Sequence, residues 1–468
     1  MKRKTAELLQ EKLGPEKVLT TRELLAERRH DTWPLSLLDD MQGRPAPPPC
    51  CVVQPTETAD VVAVVNACRK DRTPLVPFGL GSGVCGGVRT DPDTVLLDMS
   101  SMKQVRLLDR TNLMATFEAG LRGADAEQYL AKQGLTIGHF PQSIDLSTVG
   151  GWVATRSAGQ FSTAYGNIED MVLDLEVVLP SGEVLVTRQT PRSSTGPDLK
   201  NVFIGSEGTL GVISAVTFSV RWKPEKRDVS AFYTQDMDRG FELQRYIVQS
   251  DWRPPVMRQY DWREVKRNFP EQVRGNDALI LLIHEGPSVR VDVEKKACAA
   301  MAAEMACDPA PEAAVHRWFA ERNHVTGFEP LLQKGFIVDT IEVAATWDRI
   351  GAINRNVIRS LYDVEGIRTA SSHSSHGYRS GVNLYFTFAA RPDRPEKMAS
   401  IYNECWRRTM EETLAGGGSI SHHHGIGRVR REWMTRELGA AGVGLLTGLK
   451  NALDPYRIMN PGVLLPHD

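Results

Sequence analysis

Directly behind an apolar run at 74–77 the sequence reads PFGLGSGVCGG (77–87), which crowds Gly79, Gly81, Gly83, Gly86 and Gly87 into one stretch. Such a stretch neither extends a strand nor opens a stable helix, because each glycine gives up backbone order and side-chain packing. It predicts a wide loop at the C-terminal end of a strand. In return, glycine allows positive φ and close backbone approach, so successive amides can face an anion such as a pyrophosphate. The spacing is not a G-x-G-x-x-G that opens a helix, and no Lys-Ser/Thr pair follows as in a P-loop. Taken alone, the loop leaves two readings open, a structural turn or a phosphate cradle.

Two further glycine-rich segments tip the balance. PQSIDLSTVGGWVATRSAG (141–159) gathers hydroxyls, amides and Gly150-Gly151, and GSEGTLGVI (205–213) does the same later. Three such loops exceed what turns require and together can line an extended dinucleotide. Around them, CVVQPTETADVVAVVNACRKDRTPLVPFG predicts a strand at Val52–Val53, an amphipathic helix over about 59–70 and a strand at 74–77, a β-α-β pattern. Further strands are predicted at Thr94–Asp98, Met114–Glu118, Leu173–Leu179 and Glu183–Val186, the last two joined by the PSG turn at 180–182. Past Trp222 the glycine motifs stop. The helical Val293–Cys307 and Trp347–Tyr362 then alternate with the strand-like Ala278–His284 and Gly381–Ala389.

The expected organisation is therefore α+β with two principal domains. An N-terminal helical segment (1–43) runs into the proline-rich RPAPPPC, and an α/β domain follows over 44–222. A cap domain with an antiparallel sheet and helices spans 223–430, and 431–468 forms a C-terminal helix and a tail that returns to the first domain. A net charge of −2 over 468 residues leaves no basic excess for nucleic acid. Arg428, Arg430 and Arg431 form a local basic cluster, read as a solvated helix face. The seven cysteines are scattered without a CxxC pair, which fits a reducing compartment and indicates neither a disulfide framework nor a zinc knuckle. No apolar run reaches the ~20 residues of a spanning helix, and MKRKTAELLQEKLG lacks the apolar stretch of a secretory signal. A cytoplasmic location is expected, with contact at a membrane surface left open.

The order PFGLGSGVCGG, STVGG, YGNIED, GSEGTLGVI resembles the FAD-binding domain of the vanillyl-alcohol oxidase type, also called the PCMH type, over about 44–222. The resemblance implies a two-domain flavoprotein in which the first loop wraps the FAD pyrophosphate and the later loops contact flavin, ribose and phosphate. By position, the implied cofactor residues are Phe78, Gly79, Leu80, Gly81, Ser82, Gly83, Gly86 and Gly87 in the first loop. The second segment contributes Ser143, Asp145, Thr148, Gly150, Gly151 and Ser157, followed by Tyr165 and Gly166. The third contributes Glu207, Gly211, Val212 and Ile213. Relatives that attach FAD covalently do so through a histidine of the first loop; none stands here, so non-covalent FAD is implied. Cys85 is read as a small packed thiol.

Two segments of the cap carry candidate chemistry. HSSHGYRSGVNLYFTFAA (373–390) ends in alternation that sets Asn383, Tyr385 and Thr387 on one face and Leu384, Phe386 and Phe388 on the other. GGGSISHHHGIGRVRREWM (416–434) brackets His422, His423 and His424 with glycines, and a helix start is expected after Gly427. Imidazoles suit proton transfer near neutral pH and also bind metals. No metal is expected, since the triplet by itself lacks a spaced second ligand set.

The D-2-hydroxy acid dehydrogenases of this superfamily carry GDGNxH and EHGIG where this sequence has GVNLY and HHGIG. The substituted pattern, together with STGPD (194–198), W-D-R at 347–349 and SHHHGIGRVRREW, resembles alkyldihydroxyacetonephosphate synthases from about Arg44 onward. That resemblance implies exchange of the acyl group of an acyl dihydroxyacetone phosphate for a fatty alcohol at flavin N5, without net redox change, in ether-lipid synthesis. Tyr385 matches the catalytic tyrosine, with neighbouring imidazoles expected to lower its pKa. His422, His423 and His424 match the assisting histidines, while Arg258 and Arg156 match arginines at the active site and the flavin side. A small-molecule or lipid phosphate substrate is implied, and a homodimer by analogy. Phe328, Leu331, Leu332 and Phe336 are apolar cap residues that would suit either a lipid tunnel or core. The alternative is an FAD-dependent oxidase or dehydrogenase of a D-2-hydroxy acid or related alcohol.

Overall fold

Cys51–Val53, Leu75–Phe78 and Val95–Asp98 are apolar on nearly every side chain, as strands covered on both faces must be. In the computed structural model, which describes residues 3–466, they pair in parallel. Val18–Leu19 adds an antiparallel edge to this sheet. The helix Thr58–Asp71 turns Val61, Val64, Val65 and Cys68 onto the sheet at the spacing of one helical face. A second sheet, wholly antiparallel, runs in the spatial order Val105–Asp109, Met114–Glu118, Val212–Ser219, Val172–Val178, Val184–Val186. The short helix Val149–Thr155 buries Trp152 and Val153 against it, and the Thr148 side chain caps the helix by accepting from the Gly151 amide.

The cap is built on a seven-stranded antiparallel sheet. Its order is Asp308–Pro309, Lys226–Thr234, Ala278–Gly286, Val256–Tyr260, Ile367–Ser374, Gly381–Ala390, Ile337–Thr346. Leu384, Phe386 and Phe388 point into the cap core, where they meet Ile350, Ile353, Val357 and Leu361 of the helix Trp347–Tyr362. Ile401, Tyr402, Cys405 and Trp406 of the helix Met398–Ala415 complete that core, and Leu332 belongs to it as well. The opposite face of Gly381–Ala390 is thereby left for polar residues. Register then fixes the neighbours of Tyr385: Glu342 lies across from it on one side and His373 on the other.

Both chain ends clasp the two domains. Leu9 lies in the core beneath the parallel sheet, whereas Trp33 and Leu38 lie in the cap core. Trp33 Nε1 donates to Tyr402 Oη at 2.9 Å. After the helix Met434–Leu453, Ile458 and Met459 return to the parallel-sheet core, and the Leu75 amide donates to the Ile458 carbonyl. Two expectations are corrected here. The chain beyond Gly427 stays a loop, with a short 3-10 turn at Arg431–Trp433 and an α-helix only from Met434. Nor is the basic cluster a solvated face: Arg430 is fully buried, and Arg428 and Arg431 donate to carbonyls of Pro461 and Gly462. All seven cysteines are free thiols, and no described helix is long and apolar enough to cross a membrane.

Candidate active site

Tyr385 emerges from the polar face of its strand into a group of imidazoles. Its ring stacks on His373 with centroids 4.6 Å apart, and its Oη lies 2.5 Å from His423 Nε2. His423 Nδ1 lies 2.7 Å from Nδ1 of His422, whose Nε2 is 2.5 Å from Tyr378 Oη. His376, on the turn before the strand, stacks on His422 and joins Ser162 Oγ at 2.6 Å through Nδ1. His376 is thus a partner to the triplet that spacing did not predict. His376, His422 and His423 bring nitrogens within 4.8 Å of one another. Converging on an ion would require giving up the hydrogen bonds just described.

Burial governs the protonation of this group. It depresses His422 and His423 to about 3 and His424 to about 4, so all three are neutral at pH 7. The same burial raises Tyr385 above the ordinary phenol range, and the Glu342 carboxylate adds to the rise. The expectation that the imidazoles lower this tyrosine is overturned, because neutral rings offer no positive charge to stabilise a phenolate.

The histidine loop is held by two buried carboxylates. Glu342, in the Ile337–Thr346 strand, accepts from the backbone amides of His422 and His424 and from Ser421 Oγ, and pairs with Arg430 at 3.0 Å. Burial pushes Glu342 upward, but the Arg430 guanidinium, joined by the imidazoles once these charge at acid pH, outweighs it and holds the carboxyl at about 2. Glu207 accepts from the amides of Ile426 and Gly427 at 2.6 and 2.8 Å. Arg430 also donates to Cys85 Sγ at 2.9 Å, while burial pushes the Cys85 thiol up. These contacts fasten the histidine loop of the cap to the first glycine loop.

That glycine loop leaves successive amides unpaired. Among the described residues, the amides of Gly79, Leu80, Gly81, Ser82 and Gly83 donate to no protein acceptor, so five successive donors stay open to an anion or water. Gly81 and Gly86 take φ of +72° and +71°. A Cβ at Gly79 would sit 2.6 Å from Thr148 Oγ1, so the first and second loops touch. The loop is backed by Asp31, which accepts from the amides of Trp33 and Gly87 and is raised by burial to about 7.

A family profile described as "FAD binding domain" matches residues 49–188, and one described as "FAD linked oxidases, C-terminal domain" matches 223–464. The chain belongs to the FAD-linked oxidase family. It is 33% identical to the uncharacterized FAD-linked oxidoreductase YgcU of Escherichia coli (strain K12), covering 98% of this chain and 97% of that one. Alkyldihydroxyacetonephosphate synthase of Caenorhabditis elegans is 28% identical, over 88% of this chain and 75% of the relative. A solved alkyldihydroxyacetonephosphate synthase superposes with a TM-score of 0.83 at 25% identity, covering 98% of this chain and 85% of that one. The two-domain flavoprotein fold and the FAD cofactor expected from the sequence are those of this family.

Within an FAD-linked oxidase, the donor-rich loop at Gly79–Gly83 fits the cofactor pyrophosphate. The other implied contacts are more varied. Ser143 and Asp145 line the second loop, and Gly150 packs on Ala119. Ser157 Oγ bonds to the buried His139, a residue the sequence did not single out. Tyr165 donates to Glu285 of the cap and Gly166 takes φ +85°. Beyond Gly211, Val212 and Ile213 turn their side chains into two cores. Arg258 donates to Tyr260 Oη at 2.8 Å and lies over Trp318; no carboxylate pairs with it among the described residues, and its charge reaches Tyr385 and His376. Arg156 is different. It is exposed, pairs with Glu169 at 3.1 Å, and is not brought to the histidine cluster.

Proposed function

We propose that this FAD-dependent enzyme is an alkyl transferase that exchanges the acyl group of an acyl dihydroxyacetone phosphate for a fatty alcohol. The observation that carries the reading is the Tyr385–His423 pair. Tyr385 and His423 stand where hydroxy acid dehydrogenases carry a ligand histidine and a carboxylate, and they are engaged with each other at 2.5 Å. A half-buried hydroxyl joined to a neutral imidazole suits removal and return of a proton beside a carbonyl. Arg258, with no carboxylate partner among the described residues, is a guanidinium available for the substrate phosphate. FAD, when bound, supplies an electron sink, so the exchange needs no external acceptor. The first loop has no histidine and Cys85 is tied to Arg430, which supports non-covalent binding. On this reading the protein works in the cytoplasm and meets its lipid at a membrane surface.

The test is an anaerobic reaction without electron acceptor, using palmitoyl dihydroxyacetone phosphate and isotope-labelled hexadecanol, followed by mass spectrometry. Labelled ether lipid and free palmitate are expected. Absence of ether product, with flavin bleaching by a D-2-hydroxy acid in the same cuvette, would replace alkyl transfer by hydroxy acid oxidation.

A further inference from the structure

The hydrogen bonds around Tyr385 do not end at the histidine that touches it. They continue in line from Tyr385 Oη to His423 Nε2, from His423 Nδ1 to His422 Nδ1, and from His422 Nε2 to Tyr378 Oη, at 2.5, 2.7 and 2.5 Å. Tyr378 is half-buried and is followed by the exposed Arg379 and Ser380. It also meets Asn167 of the FAD-binding domain, whose Nδ2 lies at 3.0 Å and Oδ1 at 3.4 Å from the hydroxyl.

The contact between the two Nδ1 atoms decides how protons sit in this line. One of the facing nitrogens must carry hydrogen and the other must be bare. A neutral imidazole has one N–H, so fixing that contact fixes both outer nitrogens. Two arrangements result. Either Tyr378 donates to His422, His422 to His423 and His423 to the Tyr385 oxygen, or every bond runs the other way. Asn167 serves both, because it can donate to Tyr378 in the first and accept from it in the second.

We propose that Tyr385, His423, His422 and Tyr378 form a proton relay that carries protons away from the reacting side of Tyr385, with the half-exposed Tyr378, where the line meets Asn167, as its outer terminus. The inference rests on the reading that Tyr385 exchanges a proton with substrate. When a substrate C–H bond breaks and its proton joins Tyr385 Oη, the hydroxyl proton already there passes to His423 Nε2. The proton on His423 Nδ1 crosses to His422 Nδ1, and the one on His422 Nε2 passes to Tyr378 Oη. The original Tyr378 hydroxyl proton leaves to water. Each ring nitrogen gains or loses one hydrogen, each hydroxyl oxygen gains one and loses one, every ring ends neutral, and the electron pair of the broken C–H bond stays with the substrate. The reverse sequence returns a proton to the product carbon.

This arrangement resolves a difficulty of the site. A phenol packed among neutral rings is a poor place to store a phenolate, and imidazoles depressed by desolvation are poor places to store a cation. A relay stores neither. Tyr378 therefore acts through the histidines as a positioning residue, without touching the reacting carbon.

The experiment uses the FAD-loaded wild type, Tyr378→Phe and Tyr385→Phe. Without substrate, NMR of tyrosines labelled with ¹³C at Cζ reads the coupling: Tyr378→Phe should move the Tyr385 signal, and a further His422→Ala change, which cuts the hydrogen-bond path between them, should abolish that response. With palmitoyl dihydroxyacetone phosphate and hexadecanol, Tyr378→Phe should keep the flavin spectrum and KM while kcat falls about tenfold or more. Its rate in H₂O/D₂O mixtures should change from a curved to a linear dependence on deuterium fraction. Tyr378→3-fluorotyrosine, which keeps the hydroxyl, should restore both rate and curvature. An unmoved Tyr385 signal, or wild-type kcat and curvature in Tyr378→Phe beside an inactive Tyr385→Phe, overturns the relay and leaves Tyr385 as acid–base. Normal turnover by Tyr385→Phe removes the underlying reading, and the relay with it.

Discussion

Glu342 shows how one residue organises the site without entering the chemistry. It is buried at 0% exposure, pairs with Arg430 and holds two amides of the histidine loop. Removing one partner of such a pair costs about 3–5 kcal/mol, because the other charge stays buried. Glu342→Gln is accordingly expected to lose about that much stability at pH 7 in urea unfolding. Because the folded carboxyl lies near 2 and a free glutamate near 4.5, the stabilisation is full above pH 4.5 and fades as pH falls toward 2. The gap between wild type and variant should close over that window; a gap independent of pH would show that the ion pair is not its source. Sequence reading found the triplet because glycines bracket it, and Tyr385 because strand alternation sets it on the polar face and the family resemblance singles it out. Glu342 escaped it as one carboxylate in the apolar run FIVDTIEVAA, and its meaning arises only when strand register sets it opposite Tyr385. His376 and Tyr378 escaped for a related reason, since they lie on a turn whose path no periodicity describes.

At the scale of elements, the parallel strands, the hairpin at 180–182 and the helix Trp347–Tyr362 were legible because apolar period reports burial locally. The segment after Gly427 was not. Its polar, basic composition suits a helix, yet Glu207, Glu342 and Cys85 hold it as a loop from outside. Gly427 is where that constraint is tightest: its φ is +55°, and a Cβ there would lie 2.1 Å from the Cys85 carbonyl oxygen. Gly427→Ala should therefore exceed the roughly 1 kcal/mol cost of positive φ alone by forcing the histidine loop away from the glycine loop. The expected outcome is a lower flavin-to-protein absorbance ratio and lower turnover in a protein that still folds. Unchanged flavin content would mean that the two loops need not stay in register.

Across the whole molecule, the N-terminal segment bridges the two domains. Trp33 is the centre of this tie. Its indole donates to Tyr402 in the cap core, its ring lies 2.7 Å from where a Cβ at Gly86 would stand, and it follows Asp31, the carboxylate behind the glycine loop. The N-terminal segment was expected to be a helical lead-in, since a short amphipathic stretch does not disclose which of two cores will accept it. Placed as it is, Trp33 should make cap and FAD-binding domain unfold together. The wild type is then expected to show one calorimetric transition, with flavin fluorescence rising at the same temperature. Trp33→Ala removes a buried indole, worth about 3–5 kcal/mol, and leaves the Tyr402 hydroxyl without that donor. Its main effect should be to split the transition, with flavin released in the earlier step. A single transition merely shifted to lower temperature would show that Trp33 contributes packing only, and that the coupling runs through Glu207 and the histidine loop instead.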